Sequence, residues 1–157
     1  MNEEQSFLVS KLKCAVENVY REERFLLTYS EGDREGLEQA FVFRVGIQLS
    51  NLLRETTYAS LDLDSEYNKN HGNTKTSIRF QNGLRPDLII HQRDSNKKNM
   101  LVAEFKGWWN NNIEDDLKKL EDLTNPNDNY HYLIGVFVKI GQTEATYRYF
   151  INGSEHE

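Results

Sequence analysis

Cysteine occurs once, at Cys14, so neither an intramolecular disulfide nor a thiolate zinc cluster can form. Placed on a helical pattern, Cys14 reads as a small core residue, and a reducing cytoplasm is the expected setting. Long apolar runs are missing: nothing approaches the roughly 18 consecutive residues of a membrane span. The start, Met1-Asn2-Glu3-Glu4-Gln5, has neither the basic nor the apolar region of a secretory signal. An excess of positive charge is also missing. Lys and Arg number 19 against 25 Asp and Glu, for a net charge of −6 and a pI near 5.3. That balance argues against strong non-specific nucleic-acid binding. It leaves room for a nuclease, because carboxylates that hold metal ions contribute negative charge themselves.

What is present suits one domain with a single sizeable core. The chain has 157 residues, 38% of them hydrophobic, and a mean hydropathy of −0.74. A first helix is expected over about 4–27, with an apolar stripe of Leu8, Leu12, Ala15 or Val16, Val19, and Phe25 or Leu26. Glu3 and Glu4 suit its positive dipole end. Residues 29–36 read as a polar connection in which Asp33, or Ser30, caps the next helix. That helix is expected over about 34–54, with a stripe of Leu37, Phe41, Val45, Leu49 and Leu52 widened by Val42, Ile47 and Leu53. Glu38 borders the stripe. A carboxylate there needs a metal or a partner, since burial alone costs several kcal/mol; the competing reading is that it reaches water or pairs with Arg34.

Residues 56–67 suggest a strand whose wet face carries Asp62, Asp64 and Glu66, and 68–75 a loop in which His71 has no second histidine at ligand spacing. A short strand is expected over 77–80, then a turn at Gln81-Asn82-Gly83, then a strand opened by Pro86 and ending near His91, since proline at a strand's first position loses no interior ladder bond. After a polar tip, 92–99, residues 100–106 form a uniformly apolar central strand. A third helix, 113–123, carries Ile113, Leu117, Leu120 and Leu123, with Glu114, Asp115 and Asp116 in its first turn. Strands follow over 132–140 and 146–151. This order predicts an α/β fold with one mixed central sheet flanked by helices, the third helix being a crossover between parallel neighbours.

Charge stands where these central strands should have none. Asp87 precedes Leu88-Ile89-Ile90, while Glu104 and Lys106 close Met100-Leu101-Val102-Ala103. With period-two alternation Glu104 and Lys106 share a face and Phe105 takes the other. Antiparallel pairing of the two strands would bring Asp87 beside Glu104.

Pro86-Asp87 followed by Glu104-Phe105-Lys106 resembles the two half-motifs of the PD-(D/E)xK nuclease superfamily. The resemblance implies a restriction-endonuclease-like αβββαβ core over about 35–140, with the first helix packed on it. Many members carry a further acid on the leading helix, where Glu38 stands. Some carry a lysine on the helix after the second half-motif, where Lys119 is the candidate. The family pattern implies Asp87, Glu104, Lys106, Glu38 and Lys119 as catalytic residues. Asp87, Glu104, the Phe105 backbone carbonyl and Glu38 would hold Mg²⁺, or Mn²⁺ as a substitute.

The residue types suit the chemistry. Phosphodiester hydrolysis needs a hydroxide near neutral pH and compensation of charge developing on the phosphate, both of which a divalent ion supplies. Magnesium prefers oxygen donors and keeps several waters, so one or two carboxylates suffice. Lys106 could orient the attacking water or neutralise the phosphate. The expected activity is hydrolysis of DNA, with RNA as an alternative substrate. The rival is a catalytically silent or partner-dependent nuclease-fold subunit serving as an interaction module in a defence or repair assembly. Homodimerisation is a further expectation for an enzyme cutting both strands. Core burial is expected for at least one of Trp108 and Trp109, the alternative being stacking on a base or on a partner, and Arg44, Arg54, Arg79, Arg85, Lys97, Lys98, Lys118 and Lys119 could contact phosphates.

Overall fold

The strand Leu101–Gly107 (β5) is the middle of the molecule in a computed structural model that describes residues 1–27 and 37–156. All its residues except Lys106 are buried, because helices cover both faces of the sheet around it. Six strands lie in the order β1 (Asp62–Ser65), β4 (Leu88–His91), β5, β6 (Ile134–Ile140), β7 (Ala145–Ile151) and β8 (Ser154–His156). Only β5 and β6 run parallel, and helix α3 (Glu114–Thr124) makes the crossover between them. The architecture is therefore the expected mixed sheet flanked by helices.

Strand parity divides the core. Leu101, Ala103 and Phe105 pack with helices α1 (Glu3–Glu22) and α2 (Glu38–Leu53). Val102 packs on the opposite face with Leu120 and Leu123 of α3. Asn2 and Gln5 form a capping box at the start of α1. The buried Gln5 side chain also donates to the Leu133 carbonyl at 2.9 Å, which ties that helix end to the entry of β6.

Several boundaries differ from expectation. Helix α1 ends at Glu22, and a separate 3₁₀ turn, Arg24–Leu27, buries Leu27 while leaving Phe25 exposed. Cys14 is half-buried rather than a core residue. Helix α2 begins at Glu38 with Leu37 as its exposed cap, so Leu37 leaves the stripe and Ile47 lies on its wet margin. The connection at 29–36, with Ser30, Asp33 and Arg34, lies outside the described residues. Residues 56–61 form successive turns, since Thr56, Ala59 and Leu61 each donate their backbone N–H to a carbonyl three residues back. The strand there shortens to β1.

The expected loop at 68–75 contains a small hairpin, β2 (Lys69–Asn70) and β3 (Asn73–Thr74). Its two central residues, His71 and Gly72, both have positive φ, the geometry of the tight hairpin turn that matches strand twist. Residues 77–80 are not a strand. Ser77 and Arg79 are instead drawn to α3, where Ser77 donates to Asp122 at 2.6 Å and Arg79 to Glu121 at 2.8 Å. Strand β8 was not expected, although Asn152 and Gly153, both at positive φ, make the turn that leads into it. No helix among the described residues is long and apolar enough to cross a membrane.

Candidate functional site

The antiparallel register of β4 and β5 pairs Leu88 with Ala103, so Asp87 falls beside Glu104 one step beyond that pair. Pro86, which has no N–H to donate, stands where the ladder stops. The Asp87 backbone is held by the Ser65 hydroxyl, which donates to its carbonyl at 2.8 Å. Its side chain accepts from the Phe105 backbone N–H at 2.7 Å. One carboxylate thus spans from the end of β4 to the middle of the half-motif on β5.

Glu104 is 1% exposed. Its Oε2 accepts from Lys119 Nζ at 3.1 Å, while Oε1 is buried without a hydrogen-bond partner. Lys106, on the same face of β5, places Nζ 2.8 Å from Asp116 Oδ2. Lys119 reaches Asp116 Oδ1 at 3.1 Å, so Asp116 bridges the two lysines. The face assignments for Glu104, Lys106 and Phe105 agree with strand parity. Glu38 approaches from α2 and accepts the Gly107 backbone N–H at 2.8 Å. That position on β5 needs glycine, because a Cβ there would meet the Trp109 ring at 2.1 Å. Trp108 and Trp109 contact each other edge to face, and Trp108 packs against the core.

Asp116, which the sequence places beside Lys119 without a role in the site, is central to this network. It was counted among three acids serving the helix dipole, yet it is 6% exposed. The signal was available: Asp116 stands four residues before Leu120 and three before Lys119, on the buried stripe.

Four carboxylates (Asp87, Glu104, Asp116, Glu38) therefore stand against two ammonium groups (Lys106, Lys119), a formal excess of negative charge in a mostly buried place. Proton affinities respond accordingly. Burial pushes Asp87 up to about 6, opposed by the Phe105 N–H and Lys119 and reinforced by Glu38 and Asp116. Burial, then the charge of Asp87, holds Glu104 well above the usual carboxylate range. Burial works to lower Lys106 and Lys119, but Asp116 overrides it for the first, and Glu104 with Asp116 for the second; both ammonium groups lose their protons less readily than a free lysine.

The cluster is reached from two sides. A depression of about 240 Å³ is lined by Glu38, Gln39, Val42, Ser65, Glu66 and Asp87. A polar one of about 450 Å³ is lined by Asn68, Thr74, Asn82, Gly83, Arg85 and Lys119.

The donor set suits a divalent ion that keeps most of its waters. Glu104 Oε1 is a buried acceptor with no donor. Asp87 and Glu38 each use one oxygen on a backbone N–H and keep the other. No group of three or more His, Cys, Asp or Glu side chains among the described residues is arranged to hold a metal.

Asp64, expected on a wet face, has a side chain only 14% exposed, because it accepts from His91 at 2.9 Å and pairs with Arg93. Arg44 pairs with Glu23, Arg79 with Glu121 and Asp122, Arg85 with Glu66, and Lys118 with Glu114. Lys97 and Lys98 are exposed in the 92–99 connection. No family model, no curated protein and no solved structure matches the chain.

Proposed function

We propose that this chain is a divalent-metal-dependent nuclease of the PD-(D/E)xK type acting on DNA. The observation that carries the reading is the meeting of Asp87 with a buried Glu104, one of whose oxygens has no partner, beside Lys106 on the same strand face. The order α2, β1, β4, β5, α3, β6 supports a restriction-endonuclease-like core, with the β2–β3 hairpin inserted before β4.

Asp87, Glu104 and the Phe105 carbonyl would hold Mg²⁺ or Mn²⁺, with Glu38 reaching it through water. The bound ion would supply a hydroxide near neutral pH and screen the phosphate oxygens. Lys106, kept protonated by Asp116, acts as a cation: it donates to a phosphate oxygen or to the attacking water and is not the base. Lys119 compensates Glu104 and keeps the buried carboxylate ionisable.

One observation favours a second reading, a silent nuclease-fold interaction module. Each charged side chain of the cluster already has an internal partner, as a fixed structural network would. A single assay separates the two. The protein is incubated with plasmid, linear duplex, single-stranded DNA and RNA in Mg²⁺ or Mn²⁺, beside Asp87→Ala and Lys106→Ala. The nuclease reading expects cleavage that falls at least about 100-fold in both variants, on the scale of losing one electrostatic stabiliser. Absence of cleavage with either metal, or equal cleavage by the variants, overturns the nuclease reading.

A further inference from the structure

A groove of about 580 Å³ lies between α2 and β1. Its floor is apolar, made by Val42, Gly46, Leu63 and Leu88, and its rim carries Phe43 and Arg54. Phe43 is 63% exposed on α2, where a buried stripe leaves no packing reason for an aromatic ring. Arg54 is exposed at the end of α2, and its guanidinium has no ion pair among the described residues. The other guanidinium of the groove, Arg93, is tied to Asp62 and Asp64. The groove shares Val42 and Ser65 with the depression that holds Glu38 and Asp87, so the two are neighbours.

We infer that this groove binds single-stranded nucleic acid leading to the Asp87–Glu104 site, with Phe43 stacking on a base and Arg54 pairing with a phosphate. The inference rests on the nuclease reading and narrows its substrate to strands with an unpaired segment. From Glu38 to Arg54 the helix rises about 24 Å, room for roughly four nucleotides, the low end of single-strand site sizes. A duplex offers mainly phosphates and must be captured by many cations. At net charge −6, with most arginines in internal pairs, the chain has few to give. Unpaired bases present apolar faces instead, and an apolar floor with one exposed ring can take them at little cost in charge. Ser50, Asn51 and Asp62 add polar groups to the lining, which a base edge can use and an apolar helix face cannot.

The test is fluorescence anisotropy of labelled strands about twelve nucleotides long, in EDTA so that nothing is cut. Oligothymidylate, an abasic strand of equal charge and a duplex of equal length are titrated with the protein, Phe43→Ala and Arg54→Glu. Oligothymidylate should bind at least about tenfold tighter than the duplex and the abasic strand, and Phe43→Ala should weaken it roughly 5- to 100-fold, the range of one lost stacking contact. Arg54→Glu should weaken it and flatten its salt dependence. Both residues are exposed, so both variants should still melt cooperatively, with Arg54→Glu slightly less stable because it puts a negative charge at the C-terminus of α2. Equal binding of duplex or abasic strand overturns the inference, as does indifference to Phe43→Ala, or a protein partner held at Phe43 without any strand binding. Single-strand binding without later cleavage would retain the groove and remove the nuclease reading; cleavage indifferent to Phe43 would do the reverse.

Discussion

The Asp87 carboxylate accepts the backbone N–H of Phe105 at 2.7 Å, so the first acid of the site is locked to the peptide between Glu104 and Lys106. This bond fixes geometry and also limits chemistry, since one oxygen serves the strand and the other is left for a ligand. Asparagine can keep the acceptor while losing the charge, which makes Asp87→Asn a clean probe.

The pH dependence follows from the raised proton affinity of Asp87, about 6 against 3.8 unfolded. Between about pH 4 and pH 6 the folded chain binds more protons, so metal-free stability falls as pH rises through that window. The loss from Asp87 is on the order of 3 kcal/mol. Glu104, also raised, adds to it in the same direction. Denaturant melts of wild type and Asp87→Asn across this range should converge near pH 4, with the variant the more stable at pH 7. Parallel curves would show that burial of Asp87 carries no such cost.

Asp116 holds Lys106 at 2.8 Å and raises its proton affinity against the effect of burial. In Asp116→Asn the alkaline limb of the cleavage profile should move to lower pH, and activity near neutrality should fall by about one order of magnitude or more. A merely structural Asp116 would lower stability without moving that limb. Asp116→Ala should also destabilise, because it leaves two half-buried lysines without their shared partner.

Lys75 is buried, with Nζ 3.1 Å from the Tyr132 hydroxyl and 5.2–5.7 Å from the ring centres of Tyr67, Tyr130 and Tyr132. Burial lowers it to about 8, with Asp64 in opposition. The unfolded chain then binds more protons above pH 8, so this group adds stability as pH rises from about 8 towards 10, where unfolded tyrosines begin to ionise. Melts of Lys75→Met should lack that rise. If the variant rises as wild type does, Lys75 does not titrate in this window.

Much of the site was legible in the chain. The strand pair was readable because Leu88-Ile89-Ile90 and Leu101-Val102-Ala103 are apolar and bounded by Pro86 and a polar tip, and alternation then fixed the faces of Glu104 and Lys106. Glu38 could be placed from helical periodicity alone. The pairing of Asp116 with Lys106 is not legible, because an acid in a helix's first turn has a sufficient local reason to be there, and only the tertiary position of Lys106 shows that it has another. His91 and Asp64 meet across β1 and β4, a contact between strands whose register periodicity does not specify. Strand β8 needed only attention to Asn152-Gly153, a strong hairpin signal. The β2–β3 hairpin depends on His71 entering the left-handed region, which composition does not announce.

On the proposed function, Asp87 and Glu104 together hold a divalent ion. Titration of the folded protein with Mn²⁺ near pH 7, following the loss of the free-ion electron paramagnetic resonance signal, reads this without any substrate. Wild type should bind Mn²⁺ in the roughly micromolar to millimolar range, competed by Mg²⁺, and Asp87→Asn and Glu104→Gln should each weaken it at least about tenfold, the loss of one charged oxygen donor. Absence of binding, or equal binding by both variants, would contradict it.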